Sequence, residues 1–458
     1  MTPAARIAAV IELVQAIEAD PRPAERCVAD YLRGRRYIGA KDRRAVADAV
    51  FAWLRARART DWWVARAAPA GEARGEARDG ASGEAGGAAQ ARAAVLALLA
   101  LVEGRAAAEI AALFDGSRYG PAPLSDGEGA LVAHLAGRSL DDPAQPDWVR
   151  LECPEWLLPA FGAAFGGGRD RELAALIAAA PLDLRVNALK GDREQARAAL
   201  ADEGIEAAPT PLSPWGLRVA GRRAVTAGAA YRAGLIEPQD EGSQLVALLC
   251  DARPGLAVAD LCAGGGGKTL ALAAAMGNDG RLVALDRDEA RLARARARLR
   301  RAGAGLAELH GPPDAVWLAA EAGRFDRVLI DAPCSGTGTW RRQPDARWRL
   351  TEADLARYRA AQAALLDDGA GLLRPGGRLV YATCSLLPAE NREQIAAFLA
   401  AHPDFAVVPA AGAWLAALGA PPAGLPSPFE GEFLTVTPAR HGCDGFFAAV
   451  LAPRSGRA

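Results

Sequence analysis

The chain has 458 residues, with 54 Lys and Arg against 55 Asp and Glu and a formal net charge of −1. That length suits two or three domains of roughly 150 residues each, and so even a balance gives no global case for nucleic-acid binding, which would have to rest on local patches. No apolar run reaches the roughly 20 uncharged residues of a membrane span, and Arg6, Glu12 and Glu18 break the first helix pattern in a way a signal peptide does not, so a cytoplasmic protein without membrane contact is expected. Seven cysteines with no Cys-x-x-Cys pair fit neither a disulfide framework nor a metal site, so reduced thiols and no metal are expected.

In chain order, residues 1–140 read as an all-α domain. Apolar residues recur three and four apart in "ARIAAVIELVQAIEA", "RRAVADAVFAWLRARA" and "ARAAVLALLALVEG". The Gly/Ala/Glu/Arg stretch at 68–91 cannot bury a core and is expected to be a disordered loop. Residues 141–180, rich in Pro and Trp, read as a helical connector. Residues 181–235 open with the strand "LDLRVNAL" and the helix "DREQARAALADEG" and form a small α+β unit. From 236 to 458 short apolar strands alternate with helices, the pattern of a doubly wound α/β, Rossmann-like domain with a parallel sheet, whose ligands sit at the carboxyl ends of the strands. In its helix "EARLARARARLRRAG", Leu292, Ala295 and Leu299 are expected to face inward and Arg291, Arg294, Arg298 and Arg301 to form a basic side.

"LAVADLCAGGGGKTLALAAA" is a strand, a glycine turn and a helix start. Gly264, Gly265, Gly266 and Gly267 let a ligand approach the backbone and present amides at a helix N-terminus. A phosphate-binding P-loop would need a glycine where this chain has Cys262, and a dinucleotide fingerprint would need its third glycine where this chain has Thr269. S-adenosylmethionine remains, its methionine moiety at the turn formed by Cys262, Ala263 and the four glycines. Asp286, which ends "RLVALD", is placed to hold the ribose hydroxyls. The chain has only three lysines, and one of them, Lys268, lies in this loop.

Two further strands end in a thiol: "RVLIDAPC" in Cys334 and "GRLVYATC" in Cys384. Carbon 5 of a pyrimidine is too poor a nucleophile to take a methyl group unaided, whereas a thiolate added to carbon 6 makes carbon 5 enamine-like. A second group near the same carbon is then useful for proton removal and release of the sulfur. Asp331 can contact the N3/N4 edge of the base and stabilise charge as the thiolate adds. By contrast, Cys27, Cys153 and Cys250 are expected as buried apolar filler.

The segments "DLCAGGGGKT", "IDAPCSGTGTWRRQPDARW", "VYATCSLLPAEN" and "RHGCDGFFAAVL" resemble the RsmB and Nol/Nop/Sun family of RNA cytosine-5 methyltransferases. The likeness runs from about Pro181 to Leu451. It implies Cys384 as nucleophile, Cys334 in product release, and Lys268 and Asp331 as the rest of the catalytic core, with Asp331 also at the cofactor. It also implies an N1-type subdomain at 181–235 and, more weakly, a NusB-like RNA-binding domain at 1–140. This chain departs from the family at the loop, where Ala263-Gly264 replaces Ala-Pro, and after the third strand, where His310-Gly311 and Asp314 stand. The substrate implied is RNA, with rRNA favoured over tRNA, acted on by a monomer. A non-catalytic RNA-binding protein that kept the fold is the alternative. Because a duplex hides carbons 5 and 6, the target base must be unpaired or flipped out. Arg341, Arg342, Arg347 and Arg349, interleaved with Trp340 and Trp348, suit phosphate contact and base stacking.

Overall fold

The computed structural model describes residues 1–67, 84–221, 223–419 and 424–454. They divide into a unit of Met1–Pro159, Arg169–Ala178 and Trp340–Arg349, and a second of Ala160–Gly168, Ala179–Thr339 and Leu350–Ala458. No helix among the described residues is long and apolar enough to cross a membrane.

The first unit is helical. Thr2 caps α1 (Pro3–Ala19) by accepting from the Ala5 amide, and Pro3 sits where its missing N–H costs nothing. α2 (Ala24–Gly34), α3 (Ala40–Arg55), α4 (Arg57–Ala67) and α5 (Glu84–Ala97) follow. Val10, Leu13, Val14 and Ile17 of α1 share one core with Val50, Trp53 and Leu54 of α3 and with Val95 and Leu96 of α5, as the helical period requires. The loop expected at 68–91 needs correction at its far end. Residues 84–91 are the start of α5, where alanine and glutamine favour helix and Ala91 is buried in the core. The remainder, 68–83, lies outside the described residues.

The second unit holds two sheets. In the smaller, β1 (Leu182–Val186), β2 (Ala207–Pro209), β3 (Gly216–Val219) and β4 (Ile236–Pro238) run in the order β2-β3-β1-β4, every pair antiparallel. β4 starts just past residue 235, so the small sheet reaches beyond the boundary expected there. Leu184, Val186, Leu217, Val219 and Ile236 pack on Ala196 and Leu200 of the helix Arg193–Asp202.

The larger sheet comprises β5 (Ala257–Asp260), β6 (Arg281–Leu285), β7 (Ala307–His310), β8 (Phe325–Asp331), β9 (Leu373–Thr383), β10 (Phe405–Val408), β11 (Phe429–Glu430), β12 (Phe433–Val436) and β13 (Phe446–Pro453). Its order is β11-β12-β13-β9-β8-β5-β6-β7, with β10 paired to β13. Only β7-β6-β5-β8-β9 is parallel. The expectation of a parallel sheet therefore stops at β9, because β13 pairs antiparallel with it and carries β10 and β12 likewise. Val258, Leu282, Leu329 and Val380 point to one face, and Ala259, Val283, Val328 and Leu379 to the other. Both faces are covered, which is why these strands read as continuous apolar runs rather than alternating ones.

Candidate active site

β5 ends in Asp260 and the chain turns through Cys262 to Gly267 into the helix Gly267–Ala275. The turn is tied on both sides: the Ala263 amide donates to Leu285 O over 2.9 Å, and the Gly264 amide to Asp286 Oδ2 over 2.8 Å. Gly264 (φ 55°) and Gly266 (φ 77°) occupy the left-handed region, which explains glycine at these two positions. A Cβ at Gly266 would also press on Ala295. The carbonyl of Gly265 accepts from Arg298 Nη1 at 2.8 Å. Asp286 at the end of β6 is nearly buried, and its Oδ1 accepts from the Asp288 amide over 2.8 Å. Each carboxylate oxygen thus spends one lone pair on the loops and keeps another for a hydroxyl ligand.

Lys268 Nζ donates to Asp331 Oδ2 over 2.7 Å and lies 5.2 Å from the centre of the Phe446 ring. Thr269 Oγ1 donates to Asp260 Oδ2 over 2.7 Å, and Asp260 Oδ1 is buried with no hydrogen-bond partner among the described residues. Burial, aided by the charge of Asp331, raises the Asp260 carboxyl to about 7 against the lowering effect of Thr269. The donor set fits S-adenosylmethionine. Glycine-loop amides at a helix N-terminus suit its carboxylate, Asp286 suits a ribose diol, and the orphaned Asp260 oxygen is a buried acceptor beside them. Cys262 is partly buried, and its thiol is pushed up by burial and by Asp260.

The sulfurs of Cys334 and Cys384 are 3.4 Å apart, at the ends of the adjacent strands β8 and β9. The Cys334 thiol is held well above its usual range, first by its hydrogen bond to Cys384, then by burial and the charges of Cys384 and Glu390. Either sulfur can donate to the other across this contact. Backbone bonds lock the surrounding loops: the Gly338 amide donates to Cys384 O and the Gly445 amide to Gly338 O, each over 2.9 Å. Gly338 and Gly445 approach so closely that a Cβ on Gly338 would strike the Gly445 carbonyl. Cys27, Cys153 and Cys250 are buried, as filler would be.

Two sets of arginines do other work than the sequence suggests. The expected stacking and phosphate loop, Trp340 to Arg349, belongs to the helical unit. There Arg347 is buried and donates to Glu152 O at 2.7 Å and Leu176 O at 2.9 Å, while Arg349 donates to Asp20 O at 2.7 Å and Ile17 O at 3.1 Å. These carbonyls lie near the ends of helices, where the backbone lacks intrahelical donors, so the guanidinium groups act as caps. Trp340 is buried with Arg347 5.1 Å from its ring centre, and Arg341 is buried as well. The basic side expected on the helix Glu289–Ala302 is also divided. Leu292, Ala295 and Leu299 do face inward and Arg291 and Arg294 are exposed, but Arg298 and Arg301 both bind the buried Glu237 of β4. Asp314 accepts from the Trp317 amide and caps the helix Ala315–Ala320.

The residues that sequence reasoning missed are Glu390, Asn391 and Gln362. Glu390 and Asn391 lie in the quoted "PAEN", but an Asn just before a helix pattern reads as an ordinary N-cap, and nothing in the spacing shows otherwise.

A parallel core with a glycine loop after its central strand and an acid after the neighbouring one defines a Rossmann-like methyltransferase domain. Residues 247–452 match the family model for 16S rRNA methyltransferase RsmB/F, and residues 153–226 match that for the RsmF/B-like ferredoxin-like domain. The chain is 36% identical over 301 residues to a probable ribosomal RNA small subunit methyltransferase B of Synechocystis sp., covering 65% of this chain and 66% of that protein. It is 37% identical over 256 residues to ribosomal RNA small subunit methyltransferase B of Salmonella typhi, covering 56% and 59%. The matches thus span just under two thirds or less of these relatives. A methyltransferase homolog from Pyrococcus horikoshii shares the fold at TM-score 0.57 and 28% identity, over 68% of this chain and 98% of that one. The crystal structure of PH0851 does so at TM-score 0.76 and 24% identity, over 99% of both. These matches mark residues 153–226 and 247–452 as a ferredoxin-like domain and a methyltransferase domain of the RsmB/F type, of the Nol/Nop/Sun family.

Proposed function

We propose that this chain is an RNA cytosine-5 methyltransferase that uses S-adenosylmethionine, acts on rRNA, and works as a cytoplasmic monomer. The observation that carries the reading is the pair of sulfurs 3.4 Å apart beside the Lys268–Asp331 ion pair, since methyl transfer to nitrogen or oxygen needs no such pair. The names of the two curated relatives support rRNA as the substrate.

In this mechanism Cys384 adds to carbon 6 of the cytosine and Asp331, held by Lys268, steadies the N3/N4 edge as charge develops. The glycine loop, Asp286 and Asp331 would hold the cofactor, which would supply an electrophilic methyl group. Carbon 5, now enamine-like, takes the methyl. Loss of the carbon 5 proton to solvent base and cleavage of the carbon 6–sulfur bond then restore the aromatic ring. Cys384 adds and leaves as a thiolate, and Cys334, 3.4 Å away, is placed to donate a hydrogen bond to that sulfur as it departs. The helical unit would dock structured RNA.

The test is incubation with total RNA and methyl-labelled cofactor, followed by nucleoside identification. Label in 5-methylcytidine of rRNA is expected. Label confined to other nucleosides would overturn the chemistry, and label in tRNA alone would overturn the substrate.

A further inference from the structure

Cys334 and Cys384 are each bracketed by their chain neighbours, and both brackets converge on one consecutive pair, Glu390-Asn391. Glu390 is fully buried. Its Oε1 accepts from the Ser335 amide over 2.9 Å and from Gln362 Nε2 over 3.1 Å, and its Oε2 accepts from the Ser335 hydroxyl. Gln362 Nε2 also donates to Pro333 O over 3.0 Å, so the residues on either side of Cys334 are both fastened. Asn391 treats Cys384 in the same way. Its Oδ1 accepts from Thr383 Oγ1 over 2.6 Å and its Nδ2 donates to Ser385 O over 2.9 Å.

Asn391 occupies the N-cap position of the helix Arg392–Ala401, yet its side chain makes no capping bond. An Asn there ordinarily satisfies a helix amide. Here the side chain is spent on Thr383 and Ser385 instead. The Glu390 carbonyl in turn accepts from Tyr381 Oη over 2.7 Å, which anchors the pair to β9.

We propose that Glu390 and Asn391 are positioning residues with different principal targets, Glu390 acting through Ser335 on Cys334 and Asn391 through Thr383 and Ser385 on Cys384, although the two brackets also touch where the Ser335 and Ser385 hydroxyls meet over 3.2 Å. The proposal rests on the assignment of Cys384 to addition and Cys334 to release. A displaced sulfur of roughly 1 Å is enough to slow a step by about 100-fold. Glu390→Gln puts an amide where the carboxylate receives the Ser335 hydroxyl and Gln362, and loosens Cys334. Asn391→Ala frees both neighbours of Cys384.

The experiment compares four full-length variants, Cys334→Ala, Cys384→Ala, Glu390→Gln and Asn391→Ala, under single turnover with rRNA and labelled cofactor. Covalent protein–RNA adduct is followed on denaturing gels and methyl transfer on the same samples. Glu390→Gln should form adduct and transfer methyl but release product about 100-fold more slowly, so that adduct accumulates as in Cys334→Ala. Asn391→Ala should slow adduct formation itself by about 100-fold and accumulate none. A general structural role would move both variants alike. If the cysteine variants show these two signatures while Glu390→Gln and Asn391→Ala slow the same step, or neither slows any step, the positioning proposal is wrong. If the cysteine variants lack the signatures, the cysteine assignment is wrong and takes the proposal with it. Should Glu390→Gln fail to fold, Ser335→Ala removes one of the same links and carries the same expectation, as Thr383→Val does for Asn391.

Discussion

Lys268 Nζ lies 2.7 Å from Asp331 Oδ2, joining the first turn of the glycine-loop helix to the end of β8. One ion pair therefore links the segment proposed to hold the cofactor to the carboxylate proposed to meet the base. Lys268→Met keeps the length of the side chain and removes the charge. Methyl transfer should fall by roughly 100-fold, the scale of losing one preorganised electrostatic contact at a reacting centre. Circular dichroism and a melting curve check that the fold is intact. A wild-type single-turnover rate would remove the pair from the chemistry.

Asp286, proposed to face the cofactor, also fixes the turn, because its two oxygens accept from the Gly264 and Asp288 amides. Asp286→Ala should weaken S-adenosylmethionine binding by about 1–3 kcal/mol through lost charge-assisted hydrogen bonds and a freed Gly264 amide. Calorimetry of the cofactor alone reads this directly. An unchanged dissociation constant would exclude Asp286 as a cofactor residue.

Arg347 is a structural residue on the present geometry. Arg347→Ala removes two bonds from a buried guanidinium to carbonyls of Glu152 and Leu176, each worth about 1.5–3 kcal/mol for a charged donor. Urea melts should show a loss of stability of roughly 3 kcal/mol or more. The slope of RNA affinity against salt should stay at the wild-type value, where a lost phosphate contact would flatten it by about one unit. A flattened slope with unchanged stability would return Arg347 to the RNA surface.

The glycine turn, Asp286 and the two thiols were legible because chemistry confines them to strand ends, and strand ends can be read from apolar runs. The fate of the arginines was not. A guanidinium in "WRRQPDARWR" looks the same in sequence whether it meets a phosphate or the carbonyls at a helix end, and the carbonyls it meets belong to residues 152, 176, 17 and 20. Long-range pairing is equally hidden in β13, whose apolar run fits a parallel or an antiparallel neighbour until the register Phe447 to Thr383 is seen. Asn391 was obscured by a stronger local rule, since Asn before a helix has a ready explanation that the structure shows to be the wrong one.

Asp260 gives the molecule a pH dependence whose sign is fixed. Its carboxyl is raised from an ordinary 3.8 to about 7 by burial and the nearby Asp331 charge. Below about pH 4 the group is protonated in both folded and unfolded chains and its stabilising contribution is fully present. Between about 4 and 7 the unfolded chain releases a proton that the folded chain keeps, so stability falls as pH rises, by up to roughly 1.4 kcal/mol per pH unit for one group. Above about 7 the loss is complete. Asp260→Asn cannot titrate, yet its amide oxygen still accepts from Thr269, so the variant should lose this slope and be more stable than the wild type at pH 7.5. Glu152, a buried carboxyl in the helical unit likewise raised to about 7, stays in both proteins and leaves a residual slope of the same sign. Melts of the ligand-free protein at half-unit steps from pH 4.5 to about 7.5 measure the difference across the window the two values set. Parallel curves for the two proteins would mean that Asp260 ionises as an ordinary carboxylate in the fold.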